Sequence, residues 1–238
     1  MPSDPPTRIV AFDVDGTLIE GHSQTLFARY IIERGVAPRS LMARIAWWYA
    51  LYRLGVPLPV ARIQRRMVGA FTGAPIERMN AMLDAFATDI LADRLLPGAL
   101  EQVRALRSDG AHVVLVSASL ELIISRLAKL IDADGTVATR LVPSVDGRFS
   151  GRIDGDMIYG GKKVDAVRRY ANERFRDWIF DSAYGDHESD EPLLTAAQHA
   201  VAVNPDRRFE AIARRRGWDV VRWRAKSRRD QHGDTKVG

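Results

Sequence analysis

Cysteine is absent from the 238 residues, which removes disulfides, thiol nucleophiles and zinc–thiolate centres together. Long apolar runs are missing as well. The most aromatic stretch, Ile45 to Val60, holds Trp47, Trp48, Tyr49 and Tyr52, yet Arg44 precedes it and Arg53 interrupts it. A spanning helix needs about 20 apolar residues, so this stretch is not transmembrane. Burial within a helical layer is its expected fate, with docking at a membrane interface the lesser alternative. The opening residues MPSDPPTR are polar and lack the apolar stretch of a secretory leader, so a cytoplasmic location is expected. No internal repeat is visible. Hydrophobic residues at 46% and charged residues at 27% describe an ordinary globular chain and exclude a disordered, collagen-like or coiled-coil one.

An excess of one charge sign is confined to one end. From Asn204 to Gly238 there are eleven Lys and Arg against five Asp and Glu, leaving 24 basic against 25 acidic residues before them. The basic character therefore belongs to the C-terminal part. A solvated last helix and tail accounts for it, and contact with nucleic acid or anionic headgroups is the alternative.

What is present has a regular rhythm. Ile9-Val10-Ala11-Phe12 is an apolar run ending at Asp13, the pattern of a buried parallel strand. A section from about Ser23 to Leu96 reads as wholly helical: Leu26, Tyr30 and Ile31 recur at helical spacing, as do Leu41, Ile45, Trp48 and Tyr52, and Met79, Met82, Leu83 and Phe86. After Pro97-Gly98 strands and helices alternate. Helices are expected at about 99–108, 120–130, 162–174, 191–198 and 205–216. Strands are expected at 112–116, 136–142, 148–153, 178–181, 199–203 and 218–223. Such alternation argues for a parallel α/β sheet, with the helical section inserted after the first strand.

Four clusters can carry chemistry. Asp13-Val14-Asp15-Gly16-Thr17 sits at the carboxyl end of the opening strand, where open parallel sheets bind ligands. Two acids at this spacing can divide labour, one as nucleophile and metal ligand and the other as general acid and base. They serve equally well as a helix cap or Asx turn. Ser117, with Ser119 two residues on, follows the second core strand and could hold an anion beside backbone N–H groups, or simply cap the next helix. Lys163, with Lys162 its immediate rival, opens a helix after Gly160-Gly161 and could neutralise a phosphate, or be solvated. Gly185-Asp186-His187-Glu188-Ser189-Asp190 places two acids four residues apart at a loop-to-helix transition, suited to a hard cation or to capping. His187 has no second His or Cys at zinc spacing.

The order Asp-x-Asp-Gly-Thr, Ser, Lys and Gly-Asp-x-x-x-Asp resembles the haloacid dehalogenase (HAD) superfamily. The long helical insert resembles the cap of its phosphoserine-phosphatase-like branch. Gly151-Arg152-Ile153-Asp154-Gly155, Gly161-Lys162-Lys163-Val164 and Val203-Asn204-Pro205-Asp206 resemble the subfamily IB hydrolases. The resemblance covers about Arg8 to Trp223. It implies a Rossmann-like parallel-sheet α/β core (1–20 and 97–225), an all-helical C1-type cap (21–96) and a basic tail (226–238).

The resemblance further implies a Mg2+-dependent phosphatase working through an aspartyl phosphate. Asp13 would be the nucleophile and Asp15 the acid and base. Ser117 and Lys163 would hold the phosphoryl oxygens. Mg2+ would be held by Asp13, Asp186 and the Asp15 main-chain carbonyl, with Asp190 close by. The glutamate that reads substrate in phosphoserine phosphatases falls at His22, with Glu20 nearby, so both are candidate specificity residues. Ser189 stands where those enzymes usually carry asparagine. A small phosphorylated metabolite is the expected partner, and nucleic acid is not. The alternatives are a lipid-phosphate phosphatase at a membrane surface and a non-catalytic protein that binds through its basic end.

Overall fold

The structure, a computed structural model, describes residues 5–36, 40, 43, 47, 72–143 and 146–225. The expected tail and nearly all of the aromatic stretch 45–60 lie outside the described residues. Seven strands form one sheet: β1 (Thr7–Asp13), β2 (His112–Leu120), β3 (Gly135–Pro143), β4 (Phe149–Asp154), β5 (Trp178–Gly185), β6 (His199–Val203) and β7 (Asp219–Val221). Their spatial order is β4-β3-β2-β1-β5-β6-β7. All pairs are parallel except the edge pair β3–β4. The fold is a mixed α/β one built on a Rossmann-like sheet.

β1 is central because its apolar run can be buried on both faces. Ile9 and Ala11 join one apolar layer, with Val167, Leu193 and Phe209. Val10 and Phe12 join the other, with Val103, Ile124 and Leu127. The first layer is covered by α6 (Gly161–Arg174), α7 (Glu191–Ala196) and α8 (Arg207–Arg216), the second by α4 (Pro97–Ser108) and α5 (Glu121–Ile131). From β1 the chain steps outward through β2 and β3, then returns to the opposite side of β1 as β5. That reversal opens a crevice beyond the carboxyl end of β1.

Two strands run further than their apolar patterns. β2 continues past Val116 because Ser117 pairs with Ala138 and Leu120 with Thr139 after a register shift. β5 continues past Asp181, whose charge is met by Arg8 at 3.0 Å and whose other oxygen accepts from Ser182 at 2.6 Å. With its carboxylate so held, the strand runs on to Gly185.

Between Gly21 and Leu96 the described elements are all helical, apart from isolated bridges at Pro75 and Leu95. α1 (Ser23–Glu33) is followed later by α2 (Ile76–Phe86), a π-helical turn (Ala87–Leu91) and the short α3 (Ala92–Arg94). Phe27, Tyr30 and Ile31 of α1 and Met79, Leu83 and Phe86 of α2 are buried in the same layer as Val10 and Phe12. Phe86 takes the rings of Phe27 and Tyr30 edge-on, at 5.1 and 5.3 Å between centroids.

Among the described residues, two seams of backbone hydrogen bonds tie this section to the sheet. Where the chain leaves and re-enters, Glu20 N–H donates to the Arg94 carbonyl at 2.8 Å, and Leu96 N–H donates to the Leu18 carbonyl at 2.9 Å. At the far side, the turn of the β3–β4 hairpin meets residues 73–76. Gly73 N–H donates to Phe149 O, Phe149 N–H to Ala74 O and Ile76 N–H to Gly147 O, at 2.9, 3.0 and 2.9 Å.

Candidate active site

The last residue of β1, Asp13, is buried at the mouth of the crevice. Lys163, in the first turn of α6, is buried with it, and its ammonium donates to Asp13 Oδ1 and, at 2.6 Å, to Asp190 Oδ1. Its neighbour Lys162 turns outward to Asp156 at 2.8 Å, both side chains largely exposed. The choice between the two lysines is thus made by the helix register.

After β1 the chain folds back at once: Gly16 N–H donates to Ile19 O at 3.0 Å, and Leu18 N–H to Val14 O at 2.9 Å. Gly16 has φ +86°, and a Cβ there would lie 2.1 Å from Asp186 Oδ2. Both the left-handed backbone and the close approach of that carboxylate demand glycine. Gly185, at the end of β5, is under a similar constraint, since a Cβ would come within 2.7 Å of Asp190 Cβ. These two glycines let the first and last clusters of the chain close on each other.

Carboxylate oxygens of Asp13, Asp186 and Asp190 lie within 4.8 Å of one another. Fully ionised, three carboxylates against one ammonium would leave two negative charges uncompensated in a buried space. Burial pushes Asp13 up to about 7, with Lys163 pulling it down and Asp190 and Asp15 pushing it further up. Burial likewise pushes Asp186 up to about 9, with Asp13 and Asp190 adding to the effect. Burial alone would lower Lys163, but the attraction of Asp13 and Asp190 outweighs it and holds the ammonium above its ordinary range. An all-oxygen donor set with this charge deficit fits a hard divalent cation.

Asp15 is half-buried at the start of the turn. Its Oδ1 accepts from the Ser23 N–H at 2.8 Å and its Oδ2 from the Ser119 hydroxyl at 3.2 Å. Ser117 is buried nearby on β2, its Oγ accepting from the Ser119 N–H at 3.0 Å. Of the two candidate specificity residues, Glu20 lies at the surface, 3.3 Å from Arg94. His22 is the N-cap residue of α1, in an extended conformation. His187 Nδ1 accepts from the Ser189 N–H at 3.2 Å and caps the following turn (Glu188–Asp190).

The structure therefore brings Asp13, Lys163, Asp186 and Asp190 into one cluster and sets Asp15 beside it. The partners of Asp15 were not marked by the sequence pattern. Ser119 stood out only as a neighbour of Ser117, and nothing distinguishes Ser23, which meets it across 96 positions.

A family model described as haloacid dehalogenase-like hydrolase matches residues 10–195. The phosphoserine phosphatase SerB1 of Mycobacterium tuberculosis is 29% identical over 222 residues, covering 91% of this chain and 72% of that protein. A histidinol-phosphatase of Neisseria meningitidis is 26% identical over 226 residues, covering 91% of this chain and 99% of its own. Among solved structures, a Bordetella pertussis protein of unknown function matches with a TM-score of 0.83 at 26% identity, covering 91% of this chain and 99% of that one.

Proposed function

The chain belongs to the haloacid dehalogenase-like hydrolase family, as a phosphoric monoester hydrolase, and we propose that it is Mg2+-dependent and works through an aspartyl phosphate on Asp13. The observation that carries this reading is the buried Lys163 ammonium shared between Asp13 and Asp190, with Asp186 in the same cluster at the end of the central strand.

Asp13 attacks the phosphorus of a small phosphorylated metabolite while the bond to the leaving oxygen breaks. Asp15 gives that oxygen a proton. Water then attacks the aspartyl phosphate, Asp15 takes the proton back, and inorganic phosphate leaves with Asp13 restored. Ser117 and Lys163 hold the phosphoryl oxygens through this exchange. Asp13, Asp186 and the Asp15 carbonyl would hold Mg2+, with Asp190 close or through water. When bound, the cation would offset the repulsion between a phosphate dianion and an attacking carboxylate. Most of the rate then comes from in-line positioning and electrostatics.

A helical lid over this crevice is part of the reading, with α1 and α2 belonging to a cap that spans 21–96 and chooses the substrate. Relatives named for phosphoserine and histidinol phosphate make these the first substrates to try. Binding through the basic end has less behind it. There Arg208 pairs with Glu188, Arg214 and Arg222 with Glu210, and Arg216 with Glu191. Hydrolysis of p-nitrophenyl phosphate with Mg2+, and its loss on chelation and in Asp13→Asn, is the expected result. Unchanged turnover in Asp13→Asn would rule out the nucleophile.

A further inference from the structure

We infer that Ser119, backed by Ser23, is a positioning residue that aims the Asp15 carboxyl at the leaving group. The inference rests on the reading of Asp15 as the acid that protonates the departing oxygen. Ser119 and Ser23 are both fully buried, and their hydroxyl oxygens are 2.6 Å apart. A serine hydroxyl has one proton to give. Since Ser119 gives its proton to Asp15 Oδ2 at 3.2 Å, it accepts from Ser23, and the two hydroxyls form one chain ending on the carboxylate.

The Asp15 carboxyl is thus gripped at both oxygens. Oδ1 accepts from the Ser23 N–H at 2.8 Å, a donor that cannot turn round. Oδ2 accepts from the Ser119 hydroxyl. Each oxygen keeps a further lone pair beyond these bonds, and the proton bound for the leaving oxygen sits on one of those, with both donors still in place. The same two residues therefore hold the carboxyl before and after it gives up its proton to the oxygen whose bond to phosphorus breaks. The grip also spans three elements. Asp15 follows β1, Ser119 belongs to β2 and Ser23 opens α1. The first turn of α1 carries a further tie to β2, from Gln24 Nε2 to the Ala118 carbonyl at 3.2 Å.

A group that only aims an acid matters in proportion to how much the leaving group needs a proton. An alkoxide needs one and p-nitrophenolate hardly does. The test measures kcat/KM, which covers the steps up to departure of the leaving group, for p-nitrophenyl phosphate and for the alkyl phosphate that the wild type hydrolyses fastest among phosphoserine, histidinol phosphate and β-glycerophosphate. Misplacing a catalytic group by about an ångström costs on the order of 100-fold. Ser119→Ala is therefore expected to lose about 10- to 100-fold in kcat/KM on the alkyl ester, with less than about threefold on the aryl ester. Ser23→Ala keeps the backbone N–H and is expected to show a smaller loss with the same selectivity.

Equal losses on both esters, or no loss on either, would overturn the inference while leaving the phosphatase reading intact. A wild type that hydrolyses the aryl ester but no alkyl phosphate would also overturn it, because Asp15 then has no leaving group to protonate. A wild type inactive on every ester would overturn the phosphatase reading and this inference with it.

Discussion

Replacing Asp186 with asparagine should make the metal-free protein more stable at pH 8 while disabling its cation site. Burial and the neighbouring carboxylates raise Asp186 from its ordinary 3.8 to about 9 in the folded chain. An acid raised in this way keeps its proton in the folded state where the unfolded chain has released it. Its contribution is therefore present in full below about pH 4 and is lost as pH rises toward 9. The loss runs at about 1.4 kcal/mol per pH unit, or about 4 kcal/mol between pH 5 and pH 8. Asp186 keeps an edge open to solvent, whose screening brings the expected difference to about 2–3 kcal/mol.

For a chain of this length each kcal/mol moves the melting temperature by about 2–4 °C. In EDTA, Asp186→Asn should therefore melt roughly 5–10 °C above the wild type at pH 8 and within a few degrees of it at pH 5. Millimolar Mg2+ should close this gap, since a cation at 100 times its Kd stabilises by about 2.7 kcal/mol and the variant lacks a ligand for it. Thermal melts at the two pH values, with and without Mg2+, decide the matter. A variant that is less stable than the wild type in EDTA at pH 8, by a margin unchanged at pH 5, would refute the charge crowding argued above.

Lys163→Met should lower kcat about 100- to 1,000-fold, the range seen when one electrostatic donor is removed, whereas Lys162→Met should stay within about twofold of the wild type in the same assay. Comparable losses in both would contradict the helix register that buries one lysine and exposes the other. Gly16→Ala should cost about 1–3 kcal/mol from its backbone conformation and should weaken Mg2+ binding by displacing Asp186. Denaturant melts and Mg2+ titration check the two effects separately, and a variant with wild-type Mg2+ affinity would show that the close approach does not matter.

Much of the fold could be read from apolar spacing alone. The run Ile9 to Phe12 has one stable setting, a strand buried on both faces, and the acids that follow it are then bound to emerge at the sheet's carboxyl edge. Lys163 could be separated from Lys162 only by family register in the sequence, and by burial in the structure. Periodicity failed where polar groups sit inside regular structure. Ser117 and Ser119 ended the apparent strand at Val116, and Asp181 ended the one that begins at Trp178, because a pattern of side-chain polarity cannot register a backbone ladder or a partner such as Arg8. The Ser23–Ser119–Asp15 contacts are long-range and made by common residues, so no local signal announces them. The docking of the β3–β4 turn on residues 73–76 runs through backbone atoms, which every sequence has.

The two seams that join the helical section to the sheet have a kinematic consequence. A body fastened at one place can turn about any axis through it, but fastened at two separated places it keeps a single freedom, rotation about the axis through both. Here one fastening is the pair of bonds between residues 18–20 and 94–96, and the other is the trio between 73–76 and the hairpin turn. Any opening that preserves both must turn about that axis and must also part the α1 contacts with Asp15 and β2. Any wider opening must first part the bonds at Phe149, whose ring is anchored in the apolar layer with Phe27, Met79 and Leu83. The hairpin is thus the second fastening, and the amide of Phe149 is the place where its release would register in hydrogen exchange.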